Sequence, residues 1–398
     1  MNASTLAVLV AFIVLGRCIL SHTASTVRDV SFGLLNLAAV YWIFFKTSDT
    51  RIFPVYLAWV MAQYAMLAWF SQKRGAWPWL AFAAPVAALI IIRYGPADFF
   101  SGVRLPYPAA PFFVGLSYLA FRSSQLVMQV RNGVVALPGF WRYLSFCFFL
   151  PTLQVGPISP YSEFNRAFTG EPATIPVAQA GLRVLVGAIK YQYLAVLCNQ
   201  LTYGNLLRDD HYHPWADLPV AMLFYYLFLY CSFSGFCDIA IGAAGLMGIP
   251  VAENFDNPLA SRNVKDFWNR WHMTLSIYMR DVLFSPLSKY LVRLSEPAYV
   301  NHAVALTIVI VFLLVGIWHG VGWNYAAFGA VHALGVVTNH YYTIGLKKWL
   351  GRDRFKAYNE NPWIHAAAVV VTFCYCAASL FFFANTFPEM KQIFSILR

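Results

Sequence analysis

Two histidines lie in short polar stretches of a chain that is otherwise largely apolar. His272 belongs to FWNRWHMTLS (267–276), and His319 belongs to GIWHGVGWNYAAFGAVH (316–332). Histidine is the side chain whose unperturbed pKa lies closest to neutrality, which makes it a natural general base for a hydroxyl group. Each also has a structural interpretation. His272 would suit an interfacial amphipathic helix, and His319 a helix end where the ring bonds to the backbone.

The neighbours of both histidines favour a polar site framed by aromatic rings. If 267–276 is one α-helix, Asn269, His272 and Ser276 share a face, while Phe267 and Trp271 lie on another. Glycines surround His319 and permit close approach of backbone or substrate. A third histidine, His332, is expected to be a packed or hydrogen-bonded residue.

Polar side chains within apolar stretches are costly in a membrane, so each one raises a functional hypothesis. Asp238 in SGFCDIAIG needs a partner such as an arginine, and Arg122 and Gln125 lie in the apolar stretch LSYLAFRSSQL (116–126). On their chemistry alone, His319 and His272 are candidate catalytic residues, and the structural interpretation of each stays open. The residues expected to contact substrate are Asn269, Ser276, Trp268, Trp271, Trp318, Asp238 and Gln125.

The composition predicts an all-α, multi-pass protein of the plasma or inner membrane. Only 11% of the 398 residues are charged, against roughly 25% in soluble proteins. The net charge of +11 fits basic loops that fix topology and touch anionic lipid, so nucleic acid is not an expected partner. Apolar segments run from end to end, which indicates a single integral membrane domain over 1–398.

The hydropathy pattern predicts 10 to 12 crossings, because a membrane-spanning helix needs about 20 largely apolar residues. Residues 5–20 are expected to be a retained first helix rather than a signal peptide. The basic segments 251–300 and 343–360 are expected to be cytoplasmic loops. The expected spans are 4–21, 30–46, 53–71, 77–94, 110–130, 140–156, 177–200, 216–234, 235–250, 302–318, 322–342 and 364–386.

Several classes of chemistry lack their usual motifs. The chain has no G-x-S-x-G, glycine-rich phosphate loop or dinucleotide fingerprint, which disfavours hydrolases, kinases and dehydrogenases. RDDHYHP (208–214) offers metal-ligand types, but its spacing is weak and a solvated loop is the better interpretation. No metal site is expected. The seven cysteines form no disulfide framework.

Five stretches, in order, resemble the bacterial membrane-bound O-acyltransferase family. The resemblance covers about 110–345 and looks closest to the branch that moves D-alanine onto teichoic acids, with the alginate O-acetyltransferase branch second. One departure is the serine at position 159, where relatives more often carry arginine, so partner contacts at 159–163 are not carried over. The five stretches are GLSYLAFRSSQLVMQVRNG (115–133), FLPTLQVGPISPYSEF (149–164), FSGFCDIAIGAAGLMGI (233–249), NFDNPLASRNVKDFWNRWHMTLSIYMRD (254–281) and GIWHGVGWNYAAFGAVH (316–332).

The resemblance implies about 11 helices ringed around a central tunnel, with re-entrant or interfacial helices. It makes His319 catalytic and His272 its companion. A thioester donor, either a phosphopantetheinyl acyl carrier protein or acyl-CoA, would enter from the cytoplasm. A hydroxyl of an extracytoplasmic envelope polymer or a partner acyltransferase would receive the acyl group. His272 and Asn269 would orient the donor or hold the oxyanion, and no bound cofactor would be needed.

Two other functions stay open from sequence alone. A transporter or channel could use histidines as a proton relay, but it should show inverted halves with matching broken helices, which this sequence does not display. A polytopic glycosyltransferase would carry an acidic pair in an early external loop, which is also absent.

Overall fold

A computed structural model describes residues 3–22, 25–46, 50, 52–71, 73, 75–94, 115–169, 175–206 and 213–396. These residues form helices, and their extended backbone pairs only in one isolated antiparallel bridge, between Phe255 and Trp271. The all-α expectation is confirmed. The chain divides into two compact units, the first comprising 1–188 and 236–253, and the second 189–235 and 254–398.

The described residues contain seven helices that are long and apolar enough to cross a membrane. A helix satisfies its own backbone hydrogen bonds, which is why such segments can lie in lipid. The chain is therefore a multi-pass membrane protein, while a total of eleven helices stays a prediction. The seven segments are Ser4–Ser21, Ser25–Phe45, Phe53–Phe70, Val177–Leu206, Trp215–Leu246, Pro297–His319 and Pro362–Ala384.

Two buried or half-buried arginines of the first unit bridge residues that are distant in sequence. Arg142 makes a bidentate ion pair with Asp29, with nitrogen–oxygen distances of 2.7 and 3.1 Å. Arg122 is only 1% exposed and donates to the carbonyl oxygen of Phe146 at 3.3 Å and to both oxygens of Thr152. The helices of this unit are α1 (Ala3–His22), α2 (Ser25–Val40), α3 (Ile52–Phe70), α4 (Trp77–Tyr94), α5 (Leu116–Arg131), α6 (Phe140–Cys147), α7 (Tyr161–Arg166) and α8 (Val177–Ile189).

The second unit carries both histidines of interest. Three of its helices pack in sequence order, α15 (Val300–His319) against α16 (Trp323–Glu360) and α16 against α17 (Pro362–Ala384). A long helix, α11, contributes its first part to this unit and its last part to the first unit. The helices are α9 (Ala195–Asn199), α10 (Tyr203–Leu206), α11 (Pro214–Leu246), α12 (Val264–Arg270), α13 (Met273–Met279), α14 (Ser285–Leu294), α15 (Val300–His319), α16 (Trp323–Glu360), α17 (Pro362–Ala384) and α18 (Phe387–Ile396).

Three of the expected spans differ from the structure. The segments 216–234 and 235–250 belong to one continuous helix, α11. Its glycines do not break the helix. Gly242 instead allows close helix packing, because a Cβ there would overlap Val184 and the carbonyl of Ala180. The segment 140–156 is not a helix throughout. α6 ends at Cys147, and a short 3-10 turn beginning at Leu150 follows.

The two basic segments are mainly helical rather than loops. Residues 251–300 contain α12, α13 and α14, and 343–360 is the second half of α16. α16 is kinked at Gly351, whose φ of 70° is a left-handed conformation that glycine adopts without a steric penalty. The positive charges of 343–360 thus lie on a helix that continues beyond the apolar part of α16.

Candidate active site

The stretch around His272 is broken into two short helices. α12 begins at an Asn263 cap, whose Oδ1 accepts the backbone N–H of Asp266 at 2.9 Å, and ends at Arg270. Trp271 is extended, with φ −103° and ψ 127°, and α13 begins after His272. The expectation of one helix over 267–276 was wrong, because the bridge to Phe255 takes the backbone of Trp271 out of the helix.

The segment 254–256 runs antiparallel to residues 270–273 and is hydrogen-bonded to them. The N–H of Asp256 donates to the Arg270 carbonyl, and the N–H of Met273 donates to the Asn254 carbonyl, both at 2.9 Å. His272 lies between them in the left-handed region, at φ 45° and ψ 51°. A non-glycine residue in this region is strained by about 1–3 kcal/mol, and such strain is concentrated at functional sites.

The broken helix separates the three polar residues that were expected to share a face. Asn269 is exposed, whereas His272 is 2% exposed. Ser276 stays one turn from His272, since its N–H donates to the His272 carbonyl at 3.1 Å. His272 Nε2 and Ser276 Oγ are both buried, and neither has a hydrogen-bond partner among the described residues. The structure thus keeps His272 and Ser276 together and leaves Asn269 outside.

The other ring nitrogen of His272 is bonded. Nδ1 lies 3.0 Å from Asn254 Oδ1, which also accepts the Thr274 hydroxyl at 2.8 Å. Burial and, to a smaller degree, the positive charge of a protonated His319 lower the pKa of His272 to about 3. The ring is therefore neutral at physiological pH. Asn254 was not singled out from the sequence, although it lies in the same quoted stretch, 254–281.

Aromatic side chains connect the two histidines. The ring of Phe233 meets His272 edge-on, with centroids 4.8 Å apart, and Trp318 lies 6.4 Å from His272. The Trp318 ring is also 4.5 Å from that of His319. Trp318 is thus a neighbour of both imidazoles. Trp271 is 7% exposed and packs against Phe255. The aromatic frame expected from the sequence is present.

His319 is the last residue of α15 and is half-buried. Phe383 and Phe328 meet its ring edge-on, at centroid distances of 5.1 and 5.9 Å. The following Gly320 packs under Tyr325, because a Cβ at this position would overlap the tyrosine ring. This glycine therefore serves the tight turn from α15 into α16 rather than an approach by substrate.

His332 is hydrogen-bonded at both ring nitrogens, as expected. The indole N–H of Trp268 donates to His332 Nδ1 at 3.1 Å, and His332 Nε2 lies 2.9 Å from Ser379 Oγ. Ser379 donates in turn to the Cys376 carbonyl at 2.7 Å. Trp268 is 8% exposed and its one polar group is used by this chain of hydrogen bonds. Its predicted contact with substrate could involve only the apolar part of the ring.

Asp238 and Gln125, two further predicted substrate contacts, belong to the first unit. Arg183 Nε lies 3.1 Å from Asp238 Oδ1, which confirms the arginine partner expected for this carboxylate. The same guanidinium makes two contacts of 2.5 Å with the carboxylate of Glu253. Gln125 Oε1 is buried and has no hydrogen-bond partner in the described part of the chain. Their contact with substrate stays a prediction.

Neither metal clusters nor disulfides are present in the part of the chain that the structure describes. No three His, Cys, Asp or Glu side chains there could hold a metal ion. Most of the weak candidate at 208–214 lies outside the described residues, at 208–212. All seven cysteines are described and none is in a disulfide.

The described residues thus form a multi-pass helical membrane protein with a strained, buried histidine and a second histidine beside the same tryptophan. The model of MBOAT, the membrane-bound O-acyltransferase family, matches residues 25–381, and the chain belongs to this family. The match extends beyond the expected 110–345 at both ends. The protein is therefore an acyltransferase, which sets aside the transporter and glycosyltransferase alternatives.

Relatives of known name are acyltransferases of more than one kind. The chain is 30% identical over 352 residues to a teichoic acid D-alanyltransferase of Streptococcus thermophilus, covering 84% of this chain and 82% of the relative. It is 30% identical over 282 residues to that of Bacillus subtilis, covering 69% of each. A probable alginate O-acetylase of Azotobacter vinelandii is 24% identical over 313 residues, 75% of this chain and 61% of the relative.

Proposed function

We propose that this enzyme moves a D-alanyl group from a cytoplasmic thioester donor across the membrane to a hydroxyl of an envelope polymer such as teichoic acid. The choice of acyl group is supported by the higher identity to the teichoic acid D-alanyltransferases, 30% against 24%, and by the larger share of those relatives' own length that is matched, 82% and 69% against 61%. Acetyl transfer to an exopolysaccharide is the second candidate, and it is supported by the alginate O-acetylase relatives.

The reaction needs a base for the acceptor. His319 accepts the proton of the hydroxyl, and the oxygen forms a bond to the thioester carbonyl carbon. The carbon–sulfur bond then breaks, and the leaving thiolate takes up a proton. Holding donor and acceptor together supplies a large part of the rate gain, and a dry, closed passage through the protein would protect the thioester from water.

One observation carries this proposal: His272 Nε2 is buried and lacks a hydrogen-bond partner among the described residues, close to the tryptophan that contacts His319. A buried polar atom without a partner costs roughly 1–3 kcal/mol, so each such group in a native structure needs an explanation. A bound substrate group supplies that partner. In this scheme His272 and Ser276 orient the substrates at the reacting carbonyl.

The donor approaches from the side that carries the positive charges. Exposed cations on the second half of α16 complement a negatively charged carrier protein or the phosphates of acyl-CoA, and they also suit anionic lipid. The donor is a substrate, and the scheme uses no bound cofactor or metal. These cations are Lys347, Lys348, Arg352, Arg354 and Lys356.

The test uses purified protein in proteoliposomes with teichoic acid enclosed. A D-alanyl carrier protein or acetyl-CoA is added outside, and acyl transfer is measured on protein oriented with α16 outward. We expect D-alanyl transfer from the carrier and none from acetyl-CoA. Acetyl transfer alone would move the protein to the second candidate, and transfer only when the donor is enclosed with the polymer would contradict the direction.

A further inference from the structure

The side-chain amide of Asn254 has one possible orientation. The backbone N–H of Thr274 points at one of its terminal atoms, at 3.3 Å, and a backbone N–H can only donate. The atom it faces is therefore the oxygen, Oδ1. Asn254 is completely buried, and its own carbonyl accepts the N–H of Met273, so its position is fixed by two backbone hydrogen bonds to the start of α13.

The orientation of the amide determines the tautomer of the histidine. Asn254 Oδ1 can only accept, so the imidazole atom 3.0 Å away, His272 Nδ1, must carry the hydrogen. The ring is neutral at physiological pH, and a neutral imidazole has one N–H. The second nitrogen, Nε2, is therefore a bare lone pair.

His332 provides an internal comparison in the same unit. An indole N–H can only donate, so His332 Nδ1 is an acceptor and its hydrogen is on Nε2, facing Ser379. The two buried histidines thus have opposite tautomers. His332 has partners at both nitrogens, whereas the free lone pair of His272 is held in a left-handed residue between two helices.

We propose that Asn254 is a positioning residue that holds His272 as the Nδ1–H tautomer, so that Nε2 accepts a hydrogen bond from an O–H or N–H of a bound substrate. This inference rests on the proposed function for the identity of the substrate, but the tautomer itself does not. It changes the role expected of His272, because a bare Nε2 cannot donate a hydrogen bond to an oxyanion. The role we assign to it is to orient a substrate O–H or N–H group by accepting its hydrogen bond.

The tautomer can be read directly. Full-length protein labelled with ¹⁵N-histidine is reconstituted in lipid, and the nitrogen shifts of the His272 ring are assigned by the signal lost in His272→Gln. We expect a protonated Nδ1 and an unprotonated Nε2 at neutral pH, and the reverse pattern for His332. A protonated Nε2 on His272 in the unliganded protein would overturn the proposal, whatever the activity.

Three variants test the part played by Asn254. In Asn254→Ala the preference for Nδ1–H should be lost and acyl transfer should fall between about 10-fold and 10⁴-fold, the upper value being the cost of the wrong histidine tautomer in a serine protease. Asn254→Asp keeps the acceptor and should keep the tautomer. The control is Asn36→Ala, since Asn36 is equally buried and also accepts a backbone N–H, that of Leu150.

The outcomes separate this inference from the proposed function. An unchanged His272 spectrum in Asn254→Ala would overturn the positioning role, and so would the same spectral change in Asn36→Ala. If the spectra are as expected but His272→Ala transfers acyl groups at the wild-type rate, the tautomer inference stands and the use of His272 in the reaction falls. If Asn254→Ala does not fold, retention of the tautomer by Asn254→Asp supports the proposal, and its loss contradicts it.

Discussion

His272 and His332 are 2% and 1% exposed, yet their ring nitrogens differ in their hydrogen bonds. Both nitrogens of His332 have partners, which is the usual state of a buried polar group. Nε2 of His272 has none in the described part of the chain, and the residue is strained as well. Burial alone does not distinguish the two histidines. The lone pair without a partner is the observation on which we base the proposed role of His272.

At the residue scale we predict that His332→Ala destabilises the protein without removing catalysis. The change deletes two hydrogen bonds and leaves the Trp268 N–H buried without its partner, at a cost of about 1–3 kcal/mol. The thermal midpoint in detergent should fall, while the transfer rate per folded molecule stays within a few-fold of wild type. A variant with normal stability but no transfer would place His332 in the reaction.

At the scale of elements, α15 and α16 meet at glycines. A Cβ on Gly316 would overlap the Tyr325 carbonyl oxygen and lie 3.0 Å from the Cα of Gly329, and neither backbone atom can move aside easily. His319, the last residue of α15, follows this close crossing by three residues. The sequence indicated that backbone or substrate approaches these glycines closely. In the structure the backbone of α16 lies against Gly316, and the Tyr325 ring lies against Gly320.

We predict opposite effects for the same substitution at two glycines of this helix pair. Gly316→Ala should lower stability by about 1–3 kcal/mol through overpacking. Gly345→Ala, in a part of α16 where a Cβ would meet nothing within 4 Å, should be neutral or stabilise by up to about 1 kcal/mol. Thermal unfolding of both variants in one detergent checks this prediction. Equal destabilisation of the two variants would contradict the close contact of α15 and α16 at Gly316.

The long apolar helices were predictable because apolar length alone specifies a membrane helix. The positions at which helices break were harder to predict from the sequence. Nothing local ends the helix at Arg270; it ends because Trp271 pairs with Phe255, a residue of the preceding loop. The role of Asn254 arises from the same fold-back over 18 residues. Helix periodicity describes neighbours within one element, so it grouped Asn269 with His272 and omitted Asn254.

At the scale of the whole molecule, the charge distribution predicts the orientation in the membrane. The chain carries a net charge of +11, and two basic segments, 251–300 and 343–360, flank the pair α15 and part of α16. An even number of crossings between them would place both on one side. The positive-inside rule makes that side the cytoplasm.

We predict that cysteines introduced at Asn263 and Asp353 react only with reagent on the cytoplasmic side. The measurement needs a cysteine-depleted background, because the native Cys18 and Cys374 are exposed. Intact cells are treated with an impermeant thiol reagent, and permeabilised cells provide the reactive control. Labelling of either position in intact cells would show that it lies outside the cytoplasm. The proposed orientation, and the side from which the donor enters, would then be wrong.

The central claim is that His319 is the general base, and its most direct test is acyl transfer by His319→Ala and His319→Gln beside donor binding by the same proteins. General-base help is worth roughly 10²–10⁴-fold, so both variants should lose transfer by that factor while still binding the donor. Glutamine keeps hydrogen bonding and similar size but cannot take a proton at neutral pH. Transfer by His319→Gln close to the wild-type rate, or loss of donor binding in His319→Ala, would contradict the account.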